Sequence, residues 1–216
     1  MQAIIFDMDG VLVDSEPLHI KAEQRTFASF GLSISDAEFR SYMGRTVRIM
    51  LSEIIQKYNL NTTLESIYPI HQKNLALLYK EEVESIPGIS RLIRDCKKRN
   101  YRMAIASSSD KVLIQSVLDK FQWAPYFEAV VSGEEINRTK PFPDIFLEAA
   151  RRLKVDPISC AVIEDSTAGV QAAKAAGMMC IGFSSPNSPG QDLSKADLLI
   201  HDIPSLSLNY IESLFK

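Results

Sequence analysis

Residues 3–14 read Ala3-Ile4-Ile5-Phe6-Asp7-Met8-Asp9-Gly10-Val11-Leu12-Val13-Asp14. An apolar run stops abruptly against two carboxylates set two positions apart. Four consecutive apolar residues without polar alternation form the pattern of a strand covered on both faces. Such a strand ending in Asp7 and Asp9 brings two like charges together, where they repel. Fold and chemistry both turn on what relieves that repulsion.

Further runs of the same kind recur at Met103–Ala106, Ala129–Val131, Ala161–Ile163, Cys180–Phe183 and Leu198–Ile200. Amphipathic stretches lie between them, near 89–99, 111–121, 144–153 and 167–176, with a last one near 205–215. Short apolar strands alternating with helices predict an α/β fold, a parallel Rossmann-like sheet with helices on both faces. Residues 15 to about 82 break the rhythm and predict helices near 17–30, 36–42, 47–58 and 63–81. Ser35-Asp36-Ala37-Glu38 and Thr62-Thr63-Leu64-Glu65 fit the capping box, and Pro69 is expected to kink or interrupt the last helix. Pro87-Gly88 marks the return of the alternating pattern. The expected organisation is a core of residues 1–14 and 83–216, with an all-helical cap, 15–82, inserted after the first strand. An insertion there falls over the carboxyl end of the sheet, where open α/β sheets bind ligands.

The polar residues that follow the strands share that edge. Asp7 and Asp9 follow the first run, Ser107, Ser108 and Ser109 the second, Lys140 comes soon after the third, and Glu164 and Asp165 follow the fourth. Singly, each has an ordinary reading as loop, cap or surface residue; their order and placement together carry the argument. Four clustered carboxylates require positive charge among them. Oxygen-only donors suit a hard cation, Mg²⁺, and argue against zinc, since no His or Cys falls at these positions. Lys140 adds an ammonium. The serines stand before a helix starting near Lys111, with Asp110 as the expected N-cap; hydroxyls and free N–H groups at a helix start suit a phosphate. Pro141 favours extended backbone at Lys140, and Gly10 permits a sharp turn beside the aspartates.

Composition narrows the partners. The 216 residues are 46% hydrophobic and 24% charged, with net charge −3 and no long run of one sign. That gives no sign of a nucleic-acid or membrane-surface partner and leaves room for a small anionic substrate. The N-terminus lacks the pattern of a signal peptide, and no stretch of about 18 apolar residues predicts a membrane span. Cys96, Cys160 and Cys180 are widely spaced and read as reduced, buried thiols of a cytoplasmic protein. A monomer is expected.

The segments FDMDGVLVDSEPLH, IASSSD, TKPFPDIF and VIEDSTAGVQAAKAAGM (residues 6–19, 105–110, 139–146 and 162–178) resemble, in order, the four motifs of the haloacid dehalogenase-like superfamily. More narrowly, they resemble its branch of β-phosphoglucomutase and small sugar-phosphate phosphatases. The resemblance implies that Asp7 is the nucleophile forming an aspartyl-phosphate and Asp9 the general acid and base. It implies that Ser107, with Ser108 and Ser109 beside it, and Lys140 hold the phosphoryl oxygens. Asp7, Asp165 and the main-chain carbonyl of Asp9 would bind Mg²⁺, with Glu164 in or next to the shell. In the cap, His19, Lys73 of a Lys73-Asn74 pair, and Arg45 match or neighbour substrate-contacting positions.

One departure separates the two activities of that branch. The mutase motif G-V-S-R supplies an arginine for a second phosphate; here Gly44-Arg45-Thr46-Val47-Arg48 places Val47 at that position. Arg45 or Arg48 would substitute only from a side of the helix turned by about 100°. The expected activity is therefore Mg²⁺-dependent hydrolysis of a small phosphorylated metabolite, a sugar or polyol phosphate. The alternative is the isomerase β-phosphoglucomutase, interconverting β-glucose 1-phosphate and glucose 6-phosphate.

Overall fold

A computed structural model describes residues 1–42, 46–185 and 189–215. The chain divides into two compact units, one of Met1–Asp14 with Glu84–Lys216 and the other of Ser15–Val83.

The first unit is built on six parallel strands: β1 (Ala3–Phe6), β4 (Arg102–Ser107), β5 (Ala129–Ser132), β6 (Cys160–Glu164), β7 (Met179–Phe183) and β8 (Leu198–Ile200). Their order is β5-β4-β1-β6-β7-β8, so β1 lies between β4 and β6. The order reverses direction at β1, the kind of switch point where open α/β sheets place their ligand crevice. Every residue of β1 is fully buried, as its unbroken apolar run requires. Ala3 and Ile5 join Ala104, Ala106, Cys160 and Val162 in a core capped by the apolar faces of α7 (Asp144–Leu153) and α8 (Thr167–Ala175). Pleating sends Ile4 and Phe6 to the other face. There α5 (Ile89–Lys98) packs on β4. The remaining helices of this unit are α6 (Lys111–Phe121) and α9 (Leu208–Ser213). This is an α/β Rossmann-like fold. A short antiparallel ribbon, β2 (Val13–Asp14) with β3 (Glu84–Ser85), pairs the residues at which the chain leaves this unit and re-enters it. Two-residue strands have no periodicity to read, and they were not anticipated.

The second unit is helical: α1 (Glu16–Ala28), α2 (Asp36–Arg40), α3 (Val47–Lys57) and α4 (Leu64–Glu81). It has its own core of Ile20, Phe27, Phe39, Leu51, Ile54 and Ile67. Ser35 caps α2 as its spacing requires, accepting from the Glu38 N–H. At α4 the cap is Thr63, accepting from Ser66, one residue later than the Thr62–Glu65 spacing suggested. Pro69 does not interrupt α4, which runs unbroken from Leu64 to Glu81. The proline lies early in the helix, where its ring removes one internal bond, to Glu65, and the longer remainder of the helix lies beyond it. Among the described residues no helix is long and apolar enough to cross a membrane.

Two buried titratable groups within these helices are shifted in opposite directions. Burial, with Glu16 nearby as a second cause, pushes the Glu23 carboxyl up to about 8. Burial, with His19 second, pushes the His71 imidazole down to about 4, and neither ring nitrogen of His71 has a hydrogen-bond partner. An orphaned buried polar group costs about 1–3 kcal/mol. Below its ordinary value of 6.5, the unfolded chain protonates His71 while the folded chain does not, so folding loses stability as pH falls toward about 4. For Glu23 the sign is reversed. Above its ordinary 4.5 the unfolded chain ionises while the folded carboxyl keeps its proton until about 8, so stability falls as pH rises through that window. Glu23→Gln is therefore expected to stabilise the protein by about 3 kcal/mol at pH 7 and by little at pH 5. Urea denaturation at both pH values checks this; an equal shift at both would contradict it.

Candidate active site

The parallel strands deliver their functional residues to one edge. The β1 ladder extends one step past Phe6, with the Asp7 N–H donating to the Ile163 carbonyl (3.0 Å). Phe6 is level with Ile163, so Asp7 comes level with Glu164. Ser107 closes β4, the neighbour of β1 on the other side. After Asp7 the chain folds back tightly. The Met8 carbonyl accepts from Leu12 and Val13, and the Gly10 N–H donates to the Val13 carbonyl. Gly10 has φ of +78°, and a Cβ there would overlap the Asp165 carboxylate. Only glycine meets both demands.

Asp7, Glu164 and Asp165 are buried and present carboxylate oxygens within 4.8 Å of one another. Between two of them stands Lys140, its Nζ 2.7 Å from Asp7 Oδ1 and 2.5 Å from Glu164 Oε1. The lysine side chain is only 7% exposed, and its ammonium lies 5.1 Å from the centroid of the Phe146 ring. Burial pushes the Asp7 carboxyl up, Lys140 pulls it back, and Glu164, Asp165 and Asp9 push it up again; it ends well above the usual carboxylate range. Burial alone would lower Lys140, but Asp7 and Glu164 outweigh that and hold it above its ordinary value. Three buried carboxylates thus gather beside the Lys140 ammonium, which contacts two of them. The donors they offer are all oxygen, so the residues present fit a hard divalent cation.

Glu164 is fixed from several sides. Besides Lys140, it accepts from the Ser166 N–H (2.8 Å) and Ser166 Oγ (2.9 Å). Ser166 in turn caps α8 by accepting from the Gly169 N–H. A Cβ on Gly169 would overlap the Glu164 carboxylate. The spacing Glu164-x-Ser166-x-x-Gly169 is thus a cap and a carboxylate cradle at once. The helix-start spacing was the signal for Ser166 and Gly169, whose part in holding Glu164 went unread.

The Asp9 carboxylate is engaged by the serine loop. Its Oδ2 accepts from Ser109 Oγ (2.5 Å) and Ser107 Oγ (3.3 Å), while Ser107 Oγ accepts from the Ser109 N–H (3.0 Å). The expected part for Asp9 in holding a metal concerned its main-chain carbonyl; its carboxylate belongs to the serine loop. Ser108 is exposed. The helix start after the serines is less open to an anion than its sequence suggested. Asp110 makes no capping hydrogen bond, and the Lys111 N–H donates to Glu134 Oε2 at 3.0 Å. The thiols are free and buried, with burial pushing Cys96 and Cys180 up to about 12 and Cys160 up to about 11, which suits packing and not nucleophilic chemistry.

The remaining candidates lie in the helical unit. His19 Nε2 is 3.4 Å from the Tyr79 hydroxyl. Lys73 is exposed on α4, and its neighbour Asn74 donates to Thr26 Oγ1 (3.0 Å), tying α4 to α1. The Arg48 guanidinium stacks 4.0 Å from the Tyr68 ring centroid. Arg45 lies outside the described residues.

Residues 4–183 match the family profile of the haloacid dehalogenase-like hydrolases. The chain belongs to that family. Hexitol phosphatase B of Escherichia coli is 32% identical to it, covering 86% of this chain and 85% of that protein. Beta-phosphoglucomutase of Bacillus subtilis is 31% identical, covering 98% and 94%. The bifunctional riboflavin kinase/FMN phosphatase of Arabidopsis thaliana is 31% identical over 95% of this chain, which spans only 54% of that longer protein. Among solved structures, CbbY from Rhodobacter sphaeroides in complex with phosphate superposes with a TM-score of 0.85 at 27% identity, covering 96% of each chain. Phosphatases and a phosphomutase are among its relatives.

Removing the ammonium leaves three buried carboxylates without their counter-charge. Lys140→Met is expected to lower stability at pH 7 by about 3–5 kcal/mol. It should recover part of that loss near pH 5, where the carboxyls take up protons. Thermal melts of both proteins at the two pH values check this; a pH-independent loss would contradict the electrostatic account.

Proposed function

We propose that the protein is a Mg²⁺-dependent phosphatase that hydrolyses a small sugar or polyol phosphate through an aspartyl-phosphate on Asp7. The observation that carries this reading is the buried Asp7 carboxylate, in contact with Lys140 and grouped with Glu164 and Asp165, while the Asp9 carboxylate, two residues on, is hydrogen-bonded to Ser107 and Ser109. The match to hexitol phosphatase B over most of both chains supports the substrate class.

An Asp7 oxygen attacks phosphorus. The new O–P bond forms as the ester P–O bond breaks, and the departing electron pair goes to the alcohol oxygen, which takes the proton of Asp9. The ionised Asp9 then takes a proton from a water molecule whose oxygen attacks the same phosphorus. The Asp7 O–P bond breaks, its electron pair returns to the carboxylate, and inorganic phosphate leaves. Splitting the transfer replaces one difficult step with two easier ones, and a placed acid–base group contributes about 10²–10⁴-fold. Lys140 favours the ionised, nucleophilic form of Asp7 against the burial and neighbouring acids that raise its carboxyl, and with Ser107 it would face the phosphoryl oxygens. Asp7, Asp165 and the Asp9 carbonyl would hold Mg²⁺, with Glu164 in or next to the shell; the ion supplies charge neutralisation for the phosphoryl group. His19, Lys73 and Arg45 would select the alcohol portion. The reading places the enzyme in the cytoplasm, as a monomer.

The relative named beta-phosphoglucomutase favours a second reading, in which the attacking group is a sugar hydroxyl instead of water. Val47 in place of the mutase arginine weighs against it. With β-glucose 1-phosphate and a trace of the 1,6-bisphosphate, hydrolysis predicts inorganic phosphate forming faster than glucose 6-phosphate, and the opposite order establishes the mutase. In a panel of sugar and polyol phosphates, Asp7→Asn is expected to lose activity by at least about a thousandfold with its fold intact by circular dichroism. Chelation should abolish wild-type turnover and added Mg²⁺ restore it. Near-native turnover by Asp7→Asn, or indifference to chelation, would overturn the reading.

A further inference from the structure

We propose that Ser132 is a positioning residue for proton transfer, acting on Asp9 through the main chain of Ser109. The inference rests on the reading of Asp9 as the acid and base. Ser132 closes β5 opposite Ser107 of β4. Fully buried, it donates from Oγ to the Ser109 carbonyl at 2.8 Å. Ser109 is the residue whose hydroxyl lies 2.5 Å from Asp9 Oδ2 and whose N–H holds the Ser107 hydroxyl. The order of contact is therefore Ser132, Ser109, Asp9.

The residues beside Ser132 press on the same loop. A Cβ on Gly133 would come within 2.8 Å of the Ser108 carbonyl oxygen, so glycine is what lets the two loops approach. Glu134 takes the Lys111 N–H at the far end of the serine loop. Ser132 is itself anchored. Its N–H donates to Glu135 Oε1 and its Oγ accepts from the Glu134 N–H. Glu135 pairs with Arg152 of α7 at 2.7 Å, and Arg152 also donates to the Val130 carbonyl. The consecutive residues Ser132, Gly133 and Glu134 thus brace the loop 107–111 from a strand that supplies no reacting group. A catalytic carboxyl displaced by about 1 Å can lose about a hundredfold in rate, and this brace fixes the hydroxyl that aims Asp9.

A leaving-group comparison separates positioning from general damage. An alkyl phosphate such as a hexitol phosphate needs a proton on its departing oxygen; p-nitrophenyl phosphate does not. In single-turnover measurements of the first, phosphorylating step, Ser132→Ala is expected to slow alcohol release from the alkyl ester about ten- to a hundredfold while the burst of nitrophenolate changes little in rate; the second step needs Asp9 as base with either ester, so the selectivity is read from the first step and not from steady-state kcat. Gly133→Ala, which pushes the same loop from the same side without removing a hydrogen bond, should show the same selectivity. Asp9→Asn, measured alongside, is the reference. If Asp9→Asn is selective and the other two variants affect both esters equally or neither, the positioning role is overturned. If Asp9→Asn itself shows no selectivity, the acid–base assignment falls first, and this inference with it.

Discussion

A lysine ammonium buried between two carboxylates is the contact on which the rest of this protein depends. Taking Lys140, Asp7 and Glu164 out of water carries a desolvation penalty that ordinary surface pairs never meet. It is offset because the ammonium is bonded to both acids at short distance. Asp165 then adds a third carboxylate within 4.8 Å of the other two. The cluster is charged in a way that a divalent cation and a phosphate together would complete, which makes the folded state poised for ligands and not merely for its own stability.

Much of the surrounding structure holds that charge arrangement in place. Gly10 and Gly169 are empty where a methyl would strike Asp165 and Glu164. Ser166 closes the start of α8 and grips Glu164 with the same residue. On the other side, β5 braces the serine loop that engages Asp9. The two aspartates, two residues apart in sequence, thereby enter different environments: Asp7 among buried acids and a lysine, Asp9 among hydroxyls. Placing two carboxyls in different surroundings is how one strand end can serve both nucleophile and acid–base chemistry.

The sheet and its helices were legible because doubly covered strands leave unbroken apolar runs, and α6 and α7 fall on the residues their periodicity marked. The strand-end residues were legible because parallel strands deliver their carboxyl ends to one edge. Less legible was what depends on close approach. β2 and β3 are too short for a pattern. Ser132, Gly133 and Glu134 resemble an ordinary capped turn, and their contact with residues 107–111 exists only once β4 and β5 are paired. The shift of the α4 cap from Thr62 to Thr63 was invisible because either threonine can serve as an N-cap, and only Thr62 has a glutamate at the capping-box spacing. Glu23 and His71 sit in helical patterns that accept polar residues, and their burial arises from packing that periodicity does not reveal.

The central claim is that Asp7 accepts the phosphoryl group while Lys140, Glu164 and Asp165 balance its charge around a divalent ion. Crystals grown with Mg²⁺ and beryllium fluoride, a mimic of a phosphorylated carboxylate, test it directly. The account predicts a trifluoroberyllate joined to an Asp7 carboxylate oxygen, Lys140 Nζ beside it, and one Mg²⁺ in contact with Asp7 and Asp165. A fluoride adduct on any other side chain, or a metal bound away from these carboxylates, would contradict it.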